Sequence, residues 1–167
     1  MKIKIKVYAV KYGCMPHIIT KGDWVDLINC ENVRILKGEA VKVSLGVAMQ
    51  LPRGFEAIVA PRSSTYNKFK VEQVNSIGVI DNSYCSQEDI WKVNFKASRD
   101  TFIPEGVRIA QFRIQLSQKA NIWNKLKWLL SNGIKLVQVE SLSAETRGGF
   151  GSTGDKGYVD KKNTEKK

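Results

Sequence analysis

The sequence predicts an all-β domain, a sandwich, jelly roll or barrel of short strands. Three observations carry that expectation. Apolar and polar residues alternate with a period of two in several short stretches, turn signals separate those stretches, and only one segment has a helical period. At 167 residues the chain is expected to form one domain with a real core.

The first stretch, Met1–Tyr8, sets Ile3, Ile5 and Val7 on one side and Lys2, Lys4 and Lys6 on the other. It reads as a half-buried strand whose lysines discourage stray edge pairing. Val41–Leu51 alternates again, with a slip at Gly46. Phe55–Ala60, Val71–Val74, Trp91–Phe95 and Gly106–Leu116 are further β-prone stretches, and Val137–Val139 reads as a last strand. Leu51-Pro52-Arg53-Gly54, Asp81-Asn82-Ser83 and Pro104-Glu105-Gly106 supply the turns. The helical segment is Asn121–Leu130, with Asn121 able to cap its start and Gly133 its end. Ile122, Trp123, Leu126, Leu129 and Leu130 form its apolar face, expected to pack on the β body, and Trp128 lies off that face. A docking element for a partner or a membrane surface is the sharper alternative for this helix.

Composition narrows the function. The chain is 43% apolar and 26% charged, with no apolar run long enough to span a bilayer, so a cytoplasmic protein with no membrane partner is expected. Three cysteines without Cys-x-x-Cys spacing argue against a disulfide framework or a zinc site. The only histidine, His17, reads as structural, which sets aside a Ser–His or Cys–His mechanism. A net charge of +11 calls for an anionic partner, although the basic tail Lys161–Lys167 inflates it. Residues 1–154 are expected to form the domain and 155–167 a flexible basic tail.

Four constellations carry chemistry. In Ala60–Tyr66 (APRSSTY) a proline ends a strand, and Arg62, Ser63, Ser64 and Thr65 follow. Hydroxyls, a guanidinium and exposed backbone N–H groups suit phosphate oxygens, although such a turn also suits an ordinary helix cap. In Asn75–Tyr84 (NSIGVIDNSY) Gly78 permits close approach of a ligand, Val79 and Ile80 are strand residues, and Asp81 stands at the strand end, where a carboxylate can accept a proton from water. Tyr84 is near enough to meet a sugar, while Asp81-Asn82-Ser83 alone would equally be turn chemistry. In Gly106–Phe112, Arg108 and Gln111 interrupt an apolar strand, facing either a ligand or solvent. In Arg147–Gly154 (RGGFGSTG) a glycine-rich run with one arginine and one aromatic reads as a lid over phosphates and base, with a flexible linker as the alternative, and Asp155 rather than a lysine follows it, unlike a Walker loop.

In this order and spacing, these motifs resemble those of the trimeric dUTPase family, nearest to its phage and Bacillus-type branch. Gly22–Leu27, with Asp26, resembles the family's first motif; Arg62-Ser63-Ser64 the second; Asn75–Tyr84 the third; Arg108–Gln111 the fourth; Arg147–Gly154 the fifth. The resemblance implies a distorted β jelly roll or barrel, assembled as a homotrimer whose active sites draw on all three chains. It implies Mg²⁺-dependent hydrolysis of dUTP to dUMP and pyrophosphate, which limits uracil in DNA and supplies dUMP for thymidylate synthesis. Asp81 would activate the attacking water, a role that contributes about 10²–10⁴-fold. Backbone around Asn75, Gly78, Val79 and Ile80 would pair with uracil, and Tyr84 would pack under the deoxyribose and exclude a 2′-hydroxyl. Arg62, Ser63, Ser64 and Gln111 would hold phosphates. Arg147, Gly149, Phe150, Gly151, Ser152 and Thr153 would close the site, and Asp26 would meet Mg²⁺ through water.

The chain departs from the family pattern in three places. Ser86 stands two places after Tyr84, where the family often has glycine, and Arg147 abuts Gly148-Gly149 directly, so that Trp91 could help cover the base. Residues 119–135 read as a helical insertion, a possible docking site for a protein. Two other functions fit the same fold. A dCTP deaminase would need a second carboxylate to deliver water to cytosine, and none is placed for it, though Glu88 and Asp89 are nearby. A phage-type regulatory protein would act through the inserted helix.

Overall fold

A computed structural model of the chain describes residues 1–20 and 22–142. The strands, in order, are β1 (Ile3–Ala9), β2 (His17–Ile18), β3 (Val25–Ile28), β4 (Val33–Ile35), β5 (Ala40–Ser44), β6 (Val47–Gln50) and β7 (Phe55–Pro61). A short helix α1 (Thr65–Phe69) leads into β8 (Val71–Gln73), β9 (Gly78–Ile80), β10 (Lys92–Ala97), β11 (Thr101–Ile103) and β12 (Arg108–Leu116). Helix α2 (Ile122–Leu129) and β13 (Ile134–Gln138) follow.

The strands make four small sheets: β13-β1-β6, β5-β10-β8, β11-β4 and the five-stranded β2-β3-β12-β7-β9. The expected all-β jelly roll holds, as does the alternation of β1, where Ile3, Ile5 and Val7 are fully buried and the lysines exposed. The slip at Gly46 separates β5 from β6, and Gly46 takes φ +63°, a left-handed conformation that β-carbon sterics disfavour. Full burial of Phe55, Phe95 and Phe112 contributes about 1.5–3 kcal/mol each. Trp91 is fully buried and meets Phe112 edge-on, with ring centroids 5.3 Å apart. It is therefore a core residue and not a cover for a bound base. Sequence periodicity missed β2, β3, β4 and β11, all four residues or shorter.

Two expectations are corrected. Cys14 and Cys30 are joined as a disulfide, with Cα atoms 5.8 Å apart. The pairing is long-range and buried, so cysteine spacing in the sequence carried no sign of it. A side chain at Gly46 would collide with both sulfurs, which is a second reason for glycine there.

The second correction is the face of α2. Asn121 caps its start as expected, in a capping box in which the Asn121 and Asn124 side chains each accept the other's backbone N–H at 3.0 Å, while its C-cap is Leu130 and not Gly133. The apolar face does not pack. Ile122, Trp123, Leu126, Leu129 and Leu130 are all exposed. The helix docks by its other side: Trp128 stacks obliquely on Phe55 at 5.8 Å, and Asn124 Nδ2 donates to the Arg53 carbonyl at 3.0 Å. One large ring and one backbone hydrogen bond, four residues apart on the same face, anchor the helix in place of the aliphatic stripe.

Candidate active site

The site residues fall into two groups, one around β3, β12 and the turn after β7, the other on the hairpin that carries β9. Strand β12 lies between β3 and β7, and Gln111 on β12 is opposite Asp26 on one side and Ala60 on the other. Cross-strand neighbours share a face, so the first, second and fourth motifs converge. They line a cavity of about 240 Å³ with Gly22, Asp23, Trp24, Asp26, Arg62, Ser63 and Gln111 on its wall.

The chemistry of this group is set by Asp26, which is 2% exposed. Its Oδ1 pairs with Arg62 Nε at 2.9 Å and its Oδ2 with Arg108 Nη1 at 3.0 Å. Arg62 Nη1 also donates to the Arg108 carbonyl at 3.3 Å, and Gln111 Nε2 donates to the Pro61 carbonyl at 3.2 Å. Arg108, open to either reading in the sequence, is therefore tied to Asp26. The APRSSTY turn is held by Thr65, whose buried hydroxyl donates to the Ile109 carbonyl at 2.7 Å. Ser64 stands at the N-cap of α1 but makes no side-chain capping bond, and Ser63 is exposed. Neither hydroxyl is consumed by capping, which favours the ligand reading of this turn over the helix-cap reading.

The second group is the hairpin after β8. Ser76 takes φ +59°, turning the chain into β9. Strand β9 is the edge of the five-stranded sheet, with Gly78, Val79 and Ile80 paired on one side to Val59, Ile58 and Ala57. Its other edge offers backbone donors and acceptors, and Val79 is 62% exposed. Asn75 and Asp81 are exposed at the two ends of this segment. Asp81 Oδ1 accepts from Ser83 N–H at 2.7 Å, so its turn chemistry is real. That bond engages one oxygen and fixes the carboxylate's direction.

Tyr84 is half-buried, and its hydroxyl donates to the Ile90 carbonyl at 3.4 Å. Burial, reinforced by the negative charge of Asp89, raises the Tyr84 phenol above its ordinary range. Asp89 itself is 2% exposed and accepts from Ser86 N–H at 3.0 Å, while Ser86 Oγ accepts from Glu88 N–H at 3.2 Å. This Ser86–Asp89 turn closes the hairpin exit where the family often has glycine. Asp89 is thus committed to the loop and does not face a substrate as a deaminase carboxylate, and sequence reasoning missed its structural role.

Asp81 and the Arg62–Ser64 turn lie far apart along β7 within one chain. Asp81 follows Ile80, which pairs with Ala57, whereas Ser63 lies beyond the far end of β7. At about 3.3 Å per residue, roughly 20 Å of strand separates them. Arg147, Gly149, Phe150, Gly151, Ser152 and Thr153 lie outside the described residues, as does the tail 155–167. Among the described residues no cluster of three or more His, Cys, Asp or Glu could hold a metal ion, and no helix is long and apolar enough to cross a membrane.

Known proteins resemble this chain in sequence and in fold. The family model described as dUTPase matches residues 12–154. The SPbeta prophage-derived deoxyuridine 5′-triphosphate nucleotidohydrolase YosS of Bacillus subtilis (strain 168) is 46% identical over 156 residues, covering 93% of this chain and 100% of its own. The deoxyuridine 5′-triphosphate nucleotidohydrolase of a Hydrogenobaculum species is 34% identical over 160 residues, 93% of this chain and 100% of its own. Among solved structures, the Streptococcus mutans dUTPase superposes with a TM-score of 0.61 at 23% identity, over 68% of this chain and 93% of that one. The dUTPase of S. aureus phage phi11, described as coordinating a structural Mg(II) ion, gives 0.61 at 18% identity, over 71% of this chain and 94% of that one. The solved structures establish the fold, and the family model and sequence relatives establish that this chain belongs to the dUTPase family.

Proposed function

We propose that this dUTPase hydrolyses dUTP to dUMP and pyrophosphate at composite sites of a homotrimer, with Asp81 as the base. The observation that carries the composite site is the separation along β7. A nucleotide triphosphate cannot touch Asp81 and the Arg62–Ser64 turn of one chain across roughly 20 Å. A second chain must bring its phosphate half to the first chain's hairpin.

On this reading the free edge of β9, with Asn75, Gly78, Val79 and Ile80, pairs with uracil. Cytosine has the opposite donor and acceptor pattern there and leaves groups unpaired, at about 1–3 kcal/mol each. Tyr84 packs under the sugar. Asp81 takes a proton from the water that attacks the α-phosphorus. Ser64 and Gln111 bind phosphate oxygens, together with the N–H groups of Arg62 that Asp26 leaves open. Arg147, Gly149, Phe150, Gly151, Ser152 and Thr153 close over the nucleotide from a further chain.

Mg²⁺ fits this site as an ion carried by the triphosphate. Both Asp26 oxygens are already paired with arginines, which supports a contact with the ion through water. Such an ion supplies charge neutralisation and alignment of the phosphates.

Pyrophosphate release from dUTP, dCTP, dTTP and UTP, by the parent and by Asp81→Asn, tests the reading. Selective release from dUTP, lost in the variant, is expected. Equal turnover of all four nucleotides would sink the uracil pocket, equal activity of the two proteins would sink the base, and ammonia release from dCTP would establish a deaminase. The exposed apolar face of α2 favours a second role, docking of a protein partner through residues 119–135. Loss of a captured partner on deleting 119–135, with catalysis spared, supports it.

A further inference from the structure

Beneath the hairpin lies one buried side chain that neither the motifs nor the mechanism uses. Gln73, the last residue of β8, is 9% exposed. Its Nε2 reaches the Val59 carbonyl at 3.5 Å and Asn75 Oδ1 at 3.4 Å. Its Oε1 is buried and has no partner among the described residues.

These contacts fix two amide orientations in series. The Val59 carbonyl can only accept, so the nitrogen end of the Gln73 amide must face it. The same –NH₂ then meets Asn75, which must turn its oxygen inward. The Asn75 Nδ2 is thereby left pointing away from Gln73, on an exposed residue at the entrance to β9. A flipped Asn75 would set two –NH₂ groups against each other.

We propose that Gln73 is a positioning residue for base choice: by locking the Asn75 amide it presents Nδ2 as a donor to position 4 of the pyrimidine. This rests on the reading that the base pairs at the β9 edge. Uracil has an acceptor oxygen at position 4, and cytosine has an amino donor. A fixed donor therefore welcomes the first and opposes the second, whereas an Asn75 free to flip serves both.

The unpartnered Oε1 separates this role from a structural one. A buried amide with one atom unsatisfied forfeits about as much as a hydrogen bond returns. Methionine has a similar shape, no polar requirement and no donor. Gln73→Met therefore retains the fold while it loses the lock, and Gln73→Leu serves as a second variant.

The test is calorimetric titration of dUMP and dCMP into the parent, Gln73→Met, Gln73→Leu, Asn75→Ala and Gln73→Met/Asn75→Ala, with thermal midpoints for each. The preference for dUMP should fall about tenfold in Gln73→Met, the worth of one hydrogen bond, with the midpoint unchanged or higher. The double variant should match Asn75→Ala alone, because Gln73 acts through Asn75. For dUTP, KM should rise while kcat stays near the parent value. Additive losses in the double variant, equal weakening of both nucleotides, or a preference that survives both Gln73 substitutions would overturn the proposal and leave the uracil pocket standing. A parent that does not prefer dUMP would overturn the pocket itself, and the proposal with it.

Discussion

Asp26 and Arg62 are joined by a 2.9 Å ion pair across two strands that never touch, because β12 runs between β3 and the strand that delivers Arg62. The carboxylate is nearly buried, and its other oxygen holds Arg108. Two guanidiniums of different exposure are therefore aimed by one acid, and Arg62 among them lines the cavity.

Asp26→Asn removes that acid and leaves two cations without a counter-charge. Arg62 and Arg108 retain solvent contact, which moderates the loss. Destabilisation of about 2–3 kcal/mol is expected, at the low end for breaking a buried pair. Urea unfolding should read this loss, and KM for dUTP should rise as Arg62 loses its aim.

Asp81→Asn should separate chemistry from folding. The asparagine oxygen can still accept the Ser83 N–H that Asp81 Oδ1 accepts at 2.7 Å. The turn survives, and the general base proposed for the reaction is lost. Single-turnover rates should fall about 10²–10⁴-fold, with the thermal midpoint unchanged. A large drop in midpoint would make Asp81 a turn residue first.

Helix α2 should be held by Trp128 and indifferent to its aliphatic stripe. Trp128→Ala removes the ring stacked on Phe55 and should cost about 2 kcal/mol, less than a fully buried tryptophan. Leu129→Ser, on the exposed face, should stay within about 0.5 kcal/mol. Chemical unfolding of the two variants decides between this docking and the face that sequence periodicity favoured.

That contrast locates what the sequence could and could not carry. Period-two alternation in β1 and the breaks at Gly46 and Gly54 are local, and they were legible. The convergent group of Arg62, Ser64 and Gln111 was legible as residue types, because these residues announce polar chemistry beside apolar strands. Its wiring was not. That Asp26 pairs with Arg62 and Arg108 depends on the order β3-β12-β7, which no local pattern encodes. The Cys14–Cys30 bond and the buried roles of Gln73 and Asp89 were hidden for the same reason. The direction of α2 failed differently: amphipathicity identifies an apolar face but not what it meets, and a single tryptophan opposite Phe55 decided the docking.

The Cys85 thiol offers a pH test of the hairpin exit. Burial chiefly, then the charges of Asp89 and Asp81, raise it above its ordinary value of 9.0. Folding thus favours the protonated thiol. The corresponding stability is fully present below that ordinary value and is lost as pH rises through the folded value. At about pH 8, near the ordinary thiol range, iodoacetamide should label Cys85 more slowly in the folded protein than in denaturant. The parent should also lose more thermal stability than Cys85→Ser on raising the pH beyond 9.0. Equal labelling rates in the two states would refute the shift.

Composite sites make a prediction that no single-chain site shares. Asp81→Asn chains keep an intact phosphate half, and Ser64→Ala/Gln111→Ala chains keep an intact Asp81 hairpin. Each variant alone forms only defective sites. If Asp81 of one chain faces Ser64 and Gln111 of another, trimers reassembled from a mixture contain sites with both halves intact. Pyrophosphate release from dUTP should then rise well above that of either variant after co-refolding, and not after mixing folded trimers that cannot exchange. A site contained in one chain forbids this gain, because every chain in the mixture carries a lesion. Co-refolded material that stays at the average of the two variants would therefore remove the shared site, whatever the oligomeric state, and would require the separation along β7 to be closed within one chain.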